Sequence, residues 1–223
     1  GAELPEGYIP FRQDNNFFYL TGVEIPNAKL ILDGKAKTAT LFVPDKMSGD
    51  IKKEAWITPG SKDAATYKMT RIVSNNNFTA HLNYYASSGQ PFHILFAPEE
   101  TAEMSRDRCA AHRVDHMNDP WDGRIAKEIN FINKVKERFP IVAVKDLTPV
   151  LDMMRWVKDE KEIAVIRECG RIGALGFDEA MRLTRPGMYE YQVVAACDFI
   201  YQNEGTQGPA YFAIAASGER GLT

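Results

Sequence analysis

Apolar and polar residues alternate along the first half of the chain in the pattern of short β-strands. Two apolar and β-branched runs within residues 28–43 flank an Asp33-Gly34 pair, which is a strong sequence signal for a hairpin. Similar runs at residues 70–73, 93–96 and 141–144 are separated by polar segments that could be helices or loops. The pattern therefore predicts an α/β arrangement.

Helical spacing of apolar residues dominates the second half. Residues 121–139 are apolar at every third or fourth position with charges between, which predicts an amphipathic helix that Pro140 ends. Thr148-Pro149, a polar residue followed by proline, is a helix-start signal. Residues 150–181 then predict one or two helices, which must stop at Pro186-Gly187 because proline cannot continue a helix.

Two more elements are predicted near the end of the sequence. Residues 190–202 fit a helix, and the apolar run at residues 211–216 fits a short strand followed by Ser217-Gly218. A lone strand after two helices leaves its hydrogen-bonding edges without partners, so we expect the sequence to be a fragment of a longer chain.

Composition narrows the class of protein. With 44% hydrophobic residues, 26% charged residues and a formal net charge of −3, the 223-residue chain has the balance of a soluble globular protein. This charge gives no general reason to bind nucleic acid or an anionic membrane. Neither a membrane span nor a signal-peptide pattern is seen. We expect a cytoplasmic protein whose partners are small molecules, peptides or protein surfaces.

The thiols and imidazoles offer few candidates for chemistry. Three widely spaced cysteines indicate reduced, mostly buried thiols rather than a disulfide framework or a metal knuckle: Cys109, Cys169 and Cys197. His112 and His116 stand at i and i+4 and could share a metal on a helix, but no third ligand is obvious, so a surface or capping role is favoured. His81 and His93 are isolated, which favours structural roles.

One segment near the start carries a family resemblance. It reads FRQDNNFFYLTG at residues 11–22 and is followed by LFVPDK at residues 41–46 and by Trp56. This order resembles the N-terminal domain of Xaa-Pro aminopeptidases and prolidases. Arg12 and Asp14 are expected to hold a strand and turn through charge-assisted hydrogen bonds. Trp56 resembles a tryptophan that lines a neighbouring subunit's substrate pocket in some members, and a packing role is the alternative.

A second, independent resemblance begins at Leu151. The segments MMRWVKDEKEIAVIRECGRIGALGFDEAM, RPGMYEYQ and GPAYFAIAASGE are similar to the opening of the catalytic "pita-bread" domain of creatinase-type metallopeptidases. The resemblance places Tyr211 on a strand beside the metal site, where its hydroxyl would hold a ligand carboxylate from the second coordination shell. A core aromatic is the alternative role.

Together the resemblances imply two α/β units. Residues 1–146 would form the N-terminal domain, with a mixed sheet, flanking helices and its first segment missing, and residues 147–223 the incomplete start of the catalytic domain. The family's five metal ligands and its catalytic histidine would follow Thr223, so no metal-binding or catalytic residue, and no bound metal, is expected in this chain.

The resemblance also implies an activity for the complete protein. Two divalent metals, often manganese, would hold a hydroxide that attacks the carbonyl before proline in a peptide substrate. The N-terminal domain would narrow the cleft and build a homodimer or homotetramer. Two alternatives stay open: a non-catalytic oligomerisation or substrate-gating module, and a prolidase or creatinase-like relative.

Overall fold

The computed structural model describes residues 11–45, 57–100, 105–210, 213–218 and 221. Within these ranges the chain forms seven α-helices and five β-strands. The helices are α1 (Asn15–Thr21), α2 (Phe78–Ser87), α3 (Arg106–Asn118), α4 (Lys127–Arg138), α5 (Thr148–Trp156), α6 (Glu160–Leu183) and α7 (Glu190–Asn203). The strands are β1 (Lys29–Asp33), β2 (Thr38–Val43), β3 (Arg71–Ser74), β4 (Phe92–Ile94) and β5 (Val144–Asp146). This mixture confirms the predicted α/β class.

The described residues cluster into two compact units. The first takes those within 1–99 and 119–147, and the second takes those within 100–118 and 148–223. Helix α3 therefore clusters with the later helices, although it lies before α4 in sequence. The predicted division at residues 146 and 147 stays a prediction, and α3 is the segment on which the two descriptions differ.

The predicted hairpin is confirmed as β1 and β2. The strands pair antiparallel, with Lys29 opposite Phe42 and Asp33 opposite Thr38. The Asp33 carboxylate accepts hydrogen bonds from the backbone N–H groups of Lys35 and Ala36, both at 2.9 Å. An Asp side chain that binds the backbone ahead of it closes the loop locally, which is why this residue marks the turn.

Parallel pairing completes both sheets of the first unit. Strand β3 lies parallel to β2, and β5 lies parallel to β4 in a separate two-stranded sheet. Strand β5 begins later than the predicted residues 141–144, because residues 139–142 form a turn in which the Val142 N–H donates to the Phe139 carbonyl at 3.0 Å. That turn leaves Ile141 91% exposed.

The main core of the first unit lies on one face of the three-stranded sheet. Its buried members are Val23, Ile25, Leu41, Val43, Ile57, Met69 and Ile72. On β2, the buried Phe42 makes edge-on contacts with the rings of Phe78 and His81, at centroid distances of 5.2 and 4.9 Å. His81 therefore has the structural role that was predicted for it.

The FRQDNNFFYLTG segment forms a helix, and the strand expected there is wrong. Asp14 caps α1 by accepting the N–H of Phe17 at 2.9 Å, and Gly22 ends the helix at φ 65°. The sequence carried both signals, since an Asp before the helix and a glycine after it are preferred caps. Arg12 donates to the Asn15 side chain at 3.2 Å.

Helix α4 is shorter than predicted. It begins at Lys127 rather than near Trp121, because Asp119 accepts the N–H groups of Trp121 and Asp122 at 2.7 and 2.8 Å and holds a non-helical turn. Trp121 is consequently 95% exposed. The helix ends at Arg138, two residues before Pro140, as predicted.

The remaining helix boundaries confirm the sequence signals, whereas the last strand is not found. Residues 150–181 fall into α5 and α6, and α6 stops at Leu183 before Pro186. Residues 213–216 have no strand structure, and Tyr211 and Phe212 lie outside the described residues. The described part of the second unit contains only helices, so residues 213–216 have no neighbouring strand to pair with there.

Cys109 is buried, whereas Cys197 is half-buried and Cys169 is exposed. The prediction of mostly buried thiols therefore holds for one of the three. None of the described helices is both long and apolar enough to cross a membrane.

Candidate functional site

The candidate site lies in the second unit, where a proline-glycine turn sets the start of α7. Gly187 has φ +90°, a backbone conformation that residues other than glycine rarely adopt. The Met188 N–H donates to the Arg185 carbonyl at 3.2 Å and closes the turn. The Tyr189 N–H donates to the side chain of Gln192 at 2.8 Å and so caps the helix. These contacts place Glu190 at the first position of α7.

Glu190 binds the Ser-Gly segment. One oxygen of its carboxylate accepts both the Ser217 N–H, at 2.7 Å, and the Ser217 hydroxyl, at 3.1 Å. Hydrogen bonds to an ionised carboxylate are shorter and stronger than neutral ones. The first turn of a helix also favours a negative charge. This contact joins residues 27 apart in sequence and holds the Ser217 segment at the first residue of α7.

Helices α6 and α7 approach closely further along α7. A β-carbon added at Gly176 would lie 2.6 Å from a ring carbon of Tyr201. The Cys197 thiol also donates to the Gly176 carbonyl, with a sulfur-to-oxygen distance of 3.4 Å. The aromatic ring therefore occupies the space that any other residue at position 176 would need.

Arg171 links the two helices electrostatically at the surface. Its guanidinium contacts Glu168 on the same helix at 2.7 Å and Glu204 just beyond α7 at 2.6 Å. The hydrogen bond from Arg171 holds the pKa of Glu168 below its usual value. Exposed pairs of this kind contribute little to the free energy of unfolding. We therefore assign Arg171 the role of orienting α6 and the end of α7 relative to each other.

Both residues that the resemblance singled out lie outside the described residues. Tyr211 and Trp56 have no structural account here, and their second-shell and substrate-binding roles stay predictions. In the ranges that the structure describes, no group of three or more His, Cys, Asp or Glu side chains could hold a metal ion. The described residues therefore supply no ligand set for a dinuclear metal centre.

Sequence reasoning missed the contact between Glu190 and Ser217. Both residues lie in the matched strings RPGMYEYQ and AASGE, so each was visible as a motif residue, but their pairing depends on the path of the chain between them. The close approach at Gly176 had no comparable signal, because Gly170 and Gly173 in the same helix have open space around them.

Comparison with known families finds two matches in order along the chain. Residues 6–95 match the family model of the aminopeptidase P N-terminal domain, and residues 164–223 match metallopeptidase family M24. The chain is 26% identical over 213 residues to the Xaa-Pro aminopeptidase of Escherichia coli, covering 95% of this chain and 45% of that protein. It is 24% identical over 218 residues to the "Probable Xaa-Pro aminopeptidase pepP" of Pyrenophora tritici-repentis, covering 98% and 41%.

The fold has a counterpart among solved structures. The low-pH form of aminopeptidase P from E. coli superposes with a TM-score of 0.65 at 23% identity, covering 99% of this chain and 47% of that one. At this identity the likeness establishes the fold alone. The chain spans less than half the length of the relatives it matches.

The two matches, in this order, indicate the class of protein: an aminopeptidase P N-terminal domain followed by part of an M24 metallopeptidase domain. The relatives and the solved structure support assignment of the chain to the Xaa-Pro aminopeptidase family, with the chain corresponding to the N-terminal domain and part of the catalytic domain.

Proposed function

We propose that this chain is the front part of a metal-dependent Xaa-Pro aminopeptidase that hydrolyses the peptide bond before proline. The observation that carries the proposal is the presence of both family matches, in the same order, on a chain that aligns over 95% and 98% of its length with proteins named as Xaa-Pro aminopeptidases. Proline-containing peptides are the substrate class, and the cytoplasm is the expected location.

The proposal assigns different parts of the activity to different parts of the complete protein. Two divalent ions, often manganese in this family, and the catalytic histidine would be supplied beyond Thr223. The contact of Glu190 with Ser217 would order the segment that leads there. Tyr211 would steady a ligand carboxylate, and Trp56 would line a neighbouring subunit's pocket in a homodimer or homotetramer.

A direct test uses the 223-residue chain itself. We expect it to take up no stoichiometric Mn²⁺ in equilibrium dialysis and to release no amino acid from an Xaa-Pro-Xaa peptide. Binding of two equivalents of Mn²⁺ together with cleavage would show that the ligands lie within these residues. The same assays on the longer native protein should give both metal uptake and cleavage, and a longer protein that binds no metal would instead support a creatinase-like relative.

Substrate length separates the remaining alternatives. An aminopeptidase cleaves Xaa-Pro tripeptides and longer peptides, whereas a prolidase requires the dipeptide. If the longer protein cleaves neither, but the present chain self-associates, the non-catalytic oligomerisation or gating module is the better description.

A further inference from the structure

Two histidines of α3 stand one helical turn apart on the same face. His112 and His116 are both exposed, their rings are within 10° of parallel, and the ring centroids are 6.2 Å apart. Side chains four residues apart on a helix are neighbours, with their β-carbons about 5–6 Å from each other. From the sequence spacing alone, a surface or capping role was the favoured prediction for this pair. His112 lies in the middle of α3, so it cannot cap the helix.

The imidazole nitrogens of the pair are available. Within the described part of the chain, each of these rings contacts the other. His81 is different, because its Nδ1 lies 3.0 Å from the Asn77 carbonyl and its ring packs edge-on against Phe42. The rings of His112 and His116 can therefore turn about their side-chain torsions without breaking a hydrogen bond to another described residue.

The helix that carries the pair is held at its first residue. The Arg106 guanidinium donates to both oxygens of Asp152 at 2.8 and 2.7 Å and to Glu100 at 2.9 Å. A single guanidinium nitrogen, Nη1, makes both bonds to Asp152, while Nε donates to Glu100, and hydrogen bonds between charged groups are shorter and stronger than neutral ones. The two histidines thus start from a formed helix, so binding a shared ion does not have to nucleate one.

Two imidazoles at this spacing suit one class of cation. Late first-row divalent ions such as Ni²⁺, Cu²⁺ and Zn²⁺ accept imidazole nitrogen, with a nitrogen-to-zinc distance of about 2.0–2.1 Å, whereas Mn²⁺ prefers oxygen ligands. Water completes the coordination when the protein supplies two ligands. The charged neighbours of the pair on this helix are Arg108, Arg113 and Asp115, so they supply no net attraction for a cation and its binding must come from the two imidazoles.

We propose that His112 and His116 form a two-histidine binding site for one late first-row divalent cation. The site shares no residue with the candidate site at Glu190 and does not depend on the proposed peptidase activity. Its preference for nitrogen-binding ions distinguishes it from the manganese centre expected in the complete enzyme.

The first test is calorimetric titration of the 223-residue chain with Ni²⁺. Wild type should bind one equivalent, and His112→Ala and His116→Ala should each weaken binding by about 10²-fold, because joining two ligands on one scaffold gives a gain of that order. His93→Ala removes an exposed histidine elsewhere and should change nothing. Far-ultraviolet circular dichroism checks that each variant stays folded.

A register test keeps the number of histidines constant. In the His116→Ala background, Arg108→His restores the i, i+4 spacing with His112 and should recover Ni²⁺ binding. Val114→His in the same background places the new ring two residues away on another face and should not. Equal binding by these two double variants, unchanged binding by His112→Ala, or no Ni²⁺ binding by wild type would each overturn the proposal.

Discussion

At the scale of single residues, Gly176 has no room for a side chain unless its surroundings move. Its added β-carbon would meet the Tyr201 ring at 2.6 Å, so Gly176→Ala must push α6 and α7 apart or displace the ring. We expect this variant to lose about 1–3 kcal/mol of unfolding free energy, the usual range for overpacking. Urea denaturation followed by circular dichroism measures the change.

Gly173 supplies the matched control for that prediction. It lies one turn earlier in the same helix, where an added β-carbon meets nothing within 4 Å. Gly173→Ala should therefore stabilise the chain by about 0.5–1 kcal/mol, because alanine is the better helix former. If both variants shift stability in the same direction, the close packing of α6 on α7 at Gly176 is wrong.

Charge pairing at single residues gives a prediction about pH. The folded pKa of Glu168 lies below its ordinary value of 4.5 because Arg171 donates to it. A depressed pKa means that the stabilisation is present above about pH 4.5 and is lost as pH falls through the folded pKa. Arg171→Met should return the Glu168 pKa to its ordinary range in a carboxyl NMR titration. Arg182→Met should instead raise the pKa of Glu179, which Arg182 holds low, and leave Glu168 unchanged.

At the scale of elements, the start of α6 rests on a reciprocal cap. The Asp159 side chain accepts the N–H groups of Lys161 and Glu162 at 2.9 and 2.8 Å, and the Glu162 side chain accepts the Asp159 N–H at 2.7 Å. Asp159→Ala should cost about 1 kcal/mol, whereas Asp159→Ser keeps an acceptor at the same position and should cost much less. Thermal unfolding of the pair of variants measures the difference. Equal losses would mean that the cap does not stabilise α6.

Most of the elements were predictable because their signals are local. The Asp33 hairpin, the Pro140 and Pro186 stops and the Thr148 start each depend on one or two residues and their own backbone. The errors arose where a local turn or a distant partner decided the outcome, as at Asp119 before α4 and at residues 213–216. The motif strings identified the family, but the bond from Glu190 to Ser217 depends on chain path, which no spacing in the sequence specifies.

At the scale of the whole molecule, the two units differ in how much apolar surface they bury. The largest fully buried side chains all lie in the first unit: Phe42, Leu41, Val23, Val43 and Thr40. Several large apolar side chains of the second unit remain well exposed, among them Trp156, Phe177 and Phe199 at 76%, 65% and 65%. Buried apolar area is the main source of folding free energy, so the first unit should be the more stable.

Hydrogen exchange measured by mass spectrometry tests that difference. We expect the amides of β1, β2 and β3 to exchange slowest, and those of α6 and α7 to exchange at least ~10-fold faster, since local opening there exposes less new apolar surface. Uniform protection across both units would contradict this expectation.

The course of the chain between the units bears on how such proteins can be recombined. The backbone leaves the first unit after residue 99, returns at residue 119 and leaves again after residue 147. A gene fusion made at residue 147 would take α3 and Asp152 from different parents. Arg106 would then lose the carboxylate to which it donates two hydrogen bonds. A chimera that preserves this contact must take residues 100–118 and the later helices from the same parent, although they are not contiguous in the gene.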